Sequence, residues 1–414
     1  MTDSPVPTTS TGVLNEPATS VVSAQRHSAL IVIVLTNFLL SFGFQLWQSL
    51  FNNFAVQELG VRADQIGLIQ SIREVPGLLG FSVGLLALLL SEMHIAGLSV
   101  VLMGIGIALT GTSSSLLSLV VSTLVMSIGF HFFMPGNSAA VLLLIGEDEA
   151  PHTLGRLSSF NALASLVAAS VVFLVLDMLG FRMLFYAAGA LLTVGGIILL
   201  PWARQPLRPS RVRQRVPIRR RYWLYYALEF LMGSRRHIFS TFAIFLLVRE
   251  HGVTAQTITI LFVVNHLIGT FLYQQFGKIV ARFGERRVLT LNFALLIFVF
   301  LGYAYIPSLP ILYFLFIADQ VLFGFYIARQ SYLQKIAVRP QDITPNLSLG
   351  QTINHIAAVV IPLIGGVVWE SVGSRYTFLI GVGIVILSLI LTQWMRTSQK
   401  TAPGLRAVEL GSES

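Results

Sequence analysis

Residues 28–201 and 222–395 are almost uninterrupted apolar sequence, and one charged block, Trp202–Arg221, lies between them. The block holds eight arginines (Arg204, Arg208, Arg211, Arg213, Arg215, Arg219, Arg220, Arg221), three prolines and no acidic residue. The chain is 55% hydrophobic and 11% charged, against about 25% charged for a soluble domain, which makes it an integral membrane protein. Positive charge beside membrane spans stays on the cytoplasmic side, so the block orients both flanks. A nucleic-acid-binding tract is the other reading of such a block; it is set aside because neither flank could form the soluble domain to carry it. The net charge of +9 comes mostly from this block and points to an anionic lipid surface. There are no cysteines, so disulfides and thiolate metal sites are excluded.

Hydropathy predicts twelve spans: 28–54, 65–90, 95–112, 116–145, 157–177 and 182–201, then 222–248, 256–276, 288–305, 311–338, 346–369 and 375–395. The expected organisation is a disordered cytoplasmic tail (1–27), a six-helix bundle (28–201), the basic cytoplasmic linker (202–221), a second six-helix bundle (222–395) and a cytoplasmic tail (396–414). With both termini inside, 19 lysines and arginines fall on the cytoplasmic side, four outside (Arg62, Arg182, Arg249, Arg375) and four within spans, of 27 in all. That asymmetry supports a multi-pass protein of the plasma (cytoplasmic) membrane with both termini cytoplasmic.

The two bundles repeat. Gly60-Val61-Arg62-Ala63-Asp64-Gln65-Ile66 aligns with Gly252-Val253-Thr254-Ala255-Gln256-Thr257-Ile258. The same register sets Arg73 on Asn265, Glu74 on His266 and Gly77 on Gly269. Further along, Asn161 falls on Asn354, Asp177 on Glu370, Gly180 on Gly373 and Arg182 on Arg375. Two six-helix halves in parallel topology, related by an axis along the membrane normal, are expected of a transporter. The predicted class is an all-α polytopic membrane protein with twelve transmembrane helices in two pseudo-symmetric halves.

This arrangement resembles the major facilitator superfamily of secondary transporters over residues 28–395. That family carries a Gly-x-x-x-Asp-Arg-x-Gly-Arg-Arg/Lys loop after the second helix of each half. Here the second half reads Gly277-Lys278-Ile279-Val280-Ala281-Arg282-Phe283-Gly284-Glu285-Arg286-Arg287. Gly277, Arg282, Gly284 and Arg286 match, whereas Ala281 replaces the acid and Glu285 stands at a basic position. The resemblance implies a conformational latch at this loop; the same residues also read as plain topogenic charge. Helix 1 offers Asn37, Gln45 and Gln48 but no acid, and helix 5 has no internal Gly or Pro, unlike proton-coupled drug antiporters of the family.

Ionisable side chains at membrane depth are costly and are therefore functional candidates. Arg235 and Arg236 lie mid-span in helix 7, beside His237, and point about 100° apart, so only one can face a pore squarely. Either would grip an anionic group through a bidentate fork; either could instead be neutralised by Glu74, Asp319 or backbone carbonyls. His237, Arg73, Arg329 and Tyr326 complete the substrate-binding candidates. Proton-coupling candidates are Asp319, Glu74, His266, His355 and His131, the alternative for each histidine being a neutral hydrogen bond between helices. A metal pathway through His131, His237, His266 and His355 has no ligand spacing to support it, and no metal or other cofactor is expected.

The sequence therefore predicts alternating-access transport of a small anionic or zwitterionic solute, coupled to protons, by a monomer in contact with membrane lipids and no nucleic acid. Efflux of lipophilic drugs is the alternative within transport, and a transport-inactive receptor or scaffold is the alternative outside it. No nucleotide-binding loop is present, and no nucleophile–base constellation suggests an enzyme.

Overall fold

The structure, a computed structural model, describes residues 16–145, 150–203, 219–339 and 342–396, with side chains from Ser28 onward apart from short gaps. Most of the basic linker, including Arg204, Arg208, Arg211, Arg213 and Arg215, and most of both tails lie outside the described residues. The described elements are helical: α1 (Glu16–Gln57), α2 (Ala63–Leu78), α3 (Ser82–Leu86), α4 (Glu92–Thr112), α5 (Leu116–Ile145), α6 (Ala150–Leu199), α7 (Trp223–Arg249), α8 (Ala255–Phe283), α9 (Glu285–Tyr305), α10 (Leu309–Phe323), α11 (Tyr326–Ile336), α12 (Ile343–Val372) and α13 (Ser374–Thr392). Helix α1 begins at Glu16, so helical backbone extends into what the sequence reading treats as tail.

Nine helical segments among the described residues are long and apolar enough to cross a membrane. One of them, Arg156–Trp202, is broken at Gly180 (φ 73°, ψ 172°), where spans five and six meet. Two expected spans fall short of the apolar length. Helix α2 contains Arg73, Glu74 and Pro76 and ends in a 3-10 turn at Leu79–Phe81, and the apolar part of α8 is Ala255–Gly269. The expected continuous tenth span is two helices, α10 and α11, meeting at Gly324–Phe325.

The repeat has a backbone counterpart. Gly60 and Gly252 both adopt left-handed φ, 63° and 65°. Each closes its helix through the same pair of bonds. Gly60 N–H reaches Val56 O (3.1 Å) and Val61 N–H reaches Ala55 O (2.9 Å); Gly252 N–H reaches Val248 O (3.1 Å) and Val253 N–H reaches Leu247 O (3.0 Å). A residue with a Cβ would be strained there, which explains why glycine stands at both positions.

Between the halves, hydrogen bonds cluster at the end carrying these turns. Asn53 Nδ2 donates to Val253 O (2.8 Å), Ala63 N–H to Glu370 Oε1 (2.8 Å) and Gln256 Nε2 to Asp177 Oδ1 (2.7 Å). Glu370 and Asp177 occupy matching repeat positions, so each seam, α2–α12 and α6–α8, is tied by an equivalent acid. At the first seam the backbones nearly touch: a Cβ on Gly67 would strike Pro362 O, and one on Gly366 would strike Ala63 O. Within the second half, Phe239, Phe242, Phe300, Tyr303, Trp369 and Phe378 interlock α7, α9, α12 and α13.

Candidate functional site

Three of the four arginines at membrane depth are neutralised by carboxylates. Arg73 Nη2 lies 2.7 Å from Glu74 Oε1 on α2. Arg329 Nη1 on α11 lies 3.0 Å from Glu229 Oε2 on α7. Arg235 on α7 is fully buried and donates to Asp319 Oδ1 on α10. A buried pair of this kind is strong only while both partners remain. Two further guanidinium atoms of Arg235, Nε and Nη2, have no hydrogen-bond partner among the described residues.

Arg236 differs. It has no ion pair to a described residue, and its guanidinium carbon stands 4.5 Å over the Phe323 ring. It lies deep in the bundle, within electrostatic reach of Glu74, Arg235, Arg73 and Arg329, yet its side chain keeps accessible surface. It therefore borders an open space inside the protein. Phe323 stacks in turn on Tyr326 (5.9 Å, 24°), which is also exposed. Asp319, which pairs with Arg235, and Phe323, which lies under Arg236, are four residues apart on α10, whereas Tyr326 lies beyond the break, at the start of α11. His237 is buried on α7.

A second cluster joins the halves. Glu74 Oε2 lies 3.2 Å from His355 Nδ1 of α12 and 3.6 Å from His131 Nε2 of α5. The two imidazoles meet edge to face at 5.3 Å, and Gly77 makes room for both. His266 is apart from this cluster, its Nδ1 2.7 Å from Phe262 O. It borders a separate cavity of about 160 Å³ between α1, α6 and α8, with Gln45, Leu163, Leu166 and Leu267 in the wall. Of the four membrane histidines, then, only His131 and His355 come together.

The loop motif is placed differently from a turn of several residues. Gly277 and Arg282 are inside α8, Gly284 alone makes the turn (φ 81°), and Arg286 opens α9 and reaches Gln393 (3.3 Å). Glu285, the departure from the family pattern, is 1% exposed; it accepts from Ser331 Oγ (2.6 Å) and Lys335 Nζ (2.9 Å) of α11. Outside the spans, Arg62 bonds Asp64 at 3.1 and 2.8 Å and holds that carboxyl below the ordinary carboxylate range. Ser127, Asn53 and Glu370 lie in no motif of the sequence. For Glu370 a signal existed, namely an acid at the same register in both repeats.

A two-part helical bundle with a charged seam at mid-depth and an unneutralised arginine facing an internal space has the build of a membrane carrier. The chain belongs to the Major Facilitator Superfamily, whose model matches residues 33–340 and 230–410. Its fold is similar to that of a point mutant of the nucleoside transporter NupG (TM-score 0.76, 15% identity, covering 89% of this chain and 99% of that one). It is also similar to a bacterial homologue of the human lysosomal transporter Spinster, inward-facing and occupied (TM-score 0.72, 14% identity, 94% and 100% covered). The unoccupied form of that homologue matches as well (TM-score 0.71, 13% identity, 91% and 99% covered). No curated protein matches the sequence. The protein is thus a multi-pass membrane protein of a secondary-transporter family.

Proposed function

We propose that this transporter moves a small anionic or zwitterionic solute, bound at Arg236 and flanked by Phe323 and Tyr326, by alternating access coupled to protons. The observation that carries the reading is the contrast among the arginines: Arg73, Arg235 and Arg329 have carboxylate partners, and Arg236 has none among the described residues. A cation left without a counter-ion away from bulk water is costly, and a substrate anion would supply the missing charge. The coupling proton is assigned to Asp319. Protonating it would release Arg235 to seek another acceptor in the neighbourhood of Arg236. The state described here is closed at the Gly60/Gly252 end, which we assign to the outside of the plasma membrane; the basic linker, the latch loop and both termini are then cytoplasmic. The carrier is taken to act as a monomer.

The 160 Å³ cavity beside His266, with Ala162, Leu163, Leu166, Val263 and Leu267 making most of its wall, favours the second reading, efflux of lipophilic compounds. The test is charge movement and uptake in proteoliposomes, using organic anions, amino acids, nucleosides and lipophilic cations, with and without a pH gradient. Nucleosides join the panel because NupG transports them. An anion-evoked signal lost in Arg236→Gln supports the site. A response to lipophilic cations alone, unaffected by Arg236→Gln, would move the assignment to efflux, and binding without flux would make the protein a receptor.

A further inference from the structure

We infer that Glu74, His131 and His355 form a binding site for a divalent transition-metal ion of the zinc class, clasping the two halves together at mid-membrane. The three candidate ligand atoms lie within 4.8 Å of one another and come from α2, α5 and α12. No pair of them is close in sequence, so no ligand spacing announces them.

The hydrogen bonds around His131 determine which nitrogen is free. Ser127 Oγ donates its only hydrogen to Arg73 O. Toward His131 it can then only accept, as can the Ser127 carbonyl. His131 Nδ1, 3.0 Å from each of these oxygens, must therefore carry the proton. A metal-binding histidine is held in the same way, its second nitrogen donating to a backbone carbonyl so that ring angle and tautomer are set. In the neutral imidazole Nε2 then presents a lone pair to Glu74 Oε2 across 3.6 Å. Two lone pairs face each other, and a positive centre between them would turn repulsion into binding.

The distances suit a metal. Two ligands each about 2.0–2.1 Å from a tetrahedral zinc ion stand about 3.3 Å apart; Glu74 Oε2 is 3.2 Å from His355 Nδ1 and 3.6 Å from His131 Nε2. Glu74 Oε1 is held by Arg73, leaving Oε2 as a monodentate ligand. A cavity of about 30 Å³ beside Glu74 and His131, walled also by Arg73, Ser127, Phe44, Met126 and Phe130 but not by His355, has space for one water. Two imidazoles and one carboxylate suit zinc, cobalt or nickel rather than magnesium or calcium. Three protein ligands leave a fourth position open, as in exchangeable rather than structural sites. Because His355 belongs to the second half, the complete set exists only while the α2–α12 seam is closed.

The experiment is calorimetric titration of Zn²⁺ into the purified full-length protein in detergent without substrate, repeated with Co²⁺ to read coordination from its absorption spectrum. Saturable binding of one ion is expected, weakened by at least about tenfold in His131→Ala and in His355→Ala. His251→Ala, changing a histidine in the α7–α8 turn, should leave it unchanged. Arg73→Gln removes the competitor for Glu74 and should tighten binding, whereas loss of a merely structural ion pair would not. Thermal unfolding without metal verifies that each variant is folded. Absence of saturable binding, wild-type affinity in both histidine variants, or weaker binding in Arg73→Gln overturns the proposal. Since no substrate is involved, these results are independent of whether Arg236 binds an anion.

Discussion

Asp319→Ala would strand Arg235. That guanidinium has no accessible surface, Asp319 is its carboxylate partner, and its Nε and Nη2 lack hydrogen-bond partners among the described residues. Removing one member of a buried ion pair costs about 3–5 kcal/mol, because the remaining charge is uncompensated. At about 1.4 kcal/mol per factor of ten, that is roughly a 150- to 5,000-fold shift in the folding equilibrium. Replacing both partners by apolar residues, Arg235→Met with Asp319→Leu, removes the stranded charge and should recover most of the loss. The assay is denaturant unfolding in micelles for wild type, both single variants and the double variant, read as a double-mutant cycle. A cost below about 1 kcal/mol for Asp319→Ala, the worth of an exposed pair, would refute the reasoning. Transport then separates folding from coupling: the double variant should fold yet lose accumulation driven by a pH gradient. Retained accumulation would remove Asp319 from the coupling path.

Arg236→Gln should weaken the apparent affinity for the transported anion by roughly 10- to 150-fold, the worth of a charge-assisted hydrogen bond of about 1.5–3 kcal/mol; unchanged uptake kinetics would count against the site. Gly67→Leu should force α2 away from α12, because the new side chain meets the Pro362 carbonyl, which is backbone and cannot rotate aside. The chain has no native cysteine, so thiol labelling of Val61→Cys, buried at the closed end, reads the opening directly; labelling no faster than in the Gly67 background would show that this seam does not hold the closed state. Glu285→Ala removes the acceptor of Ser331 and Lys335 and should cost about 1–3 kcal/mol, measured by unfolding in micelles, with a neutral result showing that the α9–α11 contact contributes nothing.

Much of the architecture is legible along the chain because it rests on one-dimensional signals. Apolar run length separates helices from loops, and glycines at matching repeat positions mark helix ends whose left-handed φ has no other cheap occupant. Where a span departs from simple hydropathy, the reading stops short. Arg73, Glu74 and Pro76 interrupt the apolar run of α2, and the break at Gly324–Phe325 leaves no mark on the hydropathy of 309–336. The seam acids Asp177 and Glu370 lie in register in the repeat, yet their role depends on donors far away in sequence.

The sequence by itself determined that this chain is a helical membrane protein in two repeated halves, with a small set of charged residues too costly to be incidental. Tertiary structure decided which of those charges are neutralised. Arg235 and Arg236 are adjacent and chemically identical; the helix turns one to Asp319 and the other to an open interior, and only packing of α7 against α10 separates a structural cation from a candidate anion site. Likewise Glu74, His131 and His355 are strangers along the chain, brought together because α2, α5 and α12 converge at one seam. Electrostatic energy depends on distance through space, and sequence separation carries almost no information about that distance.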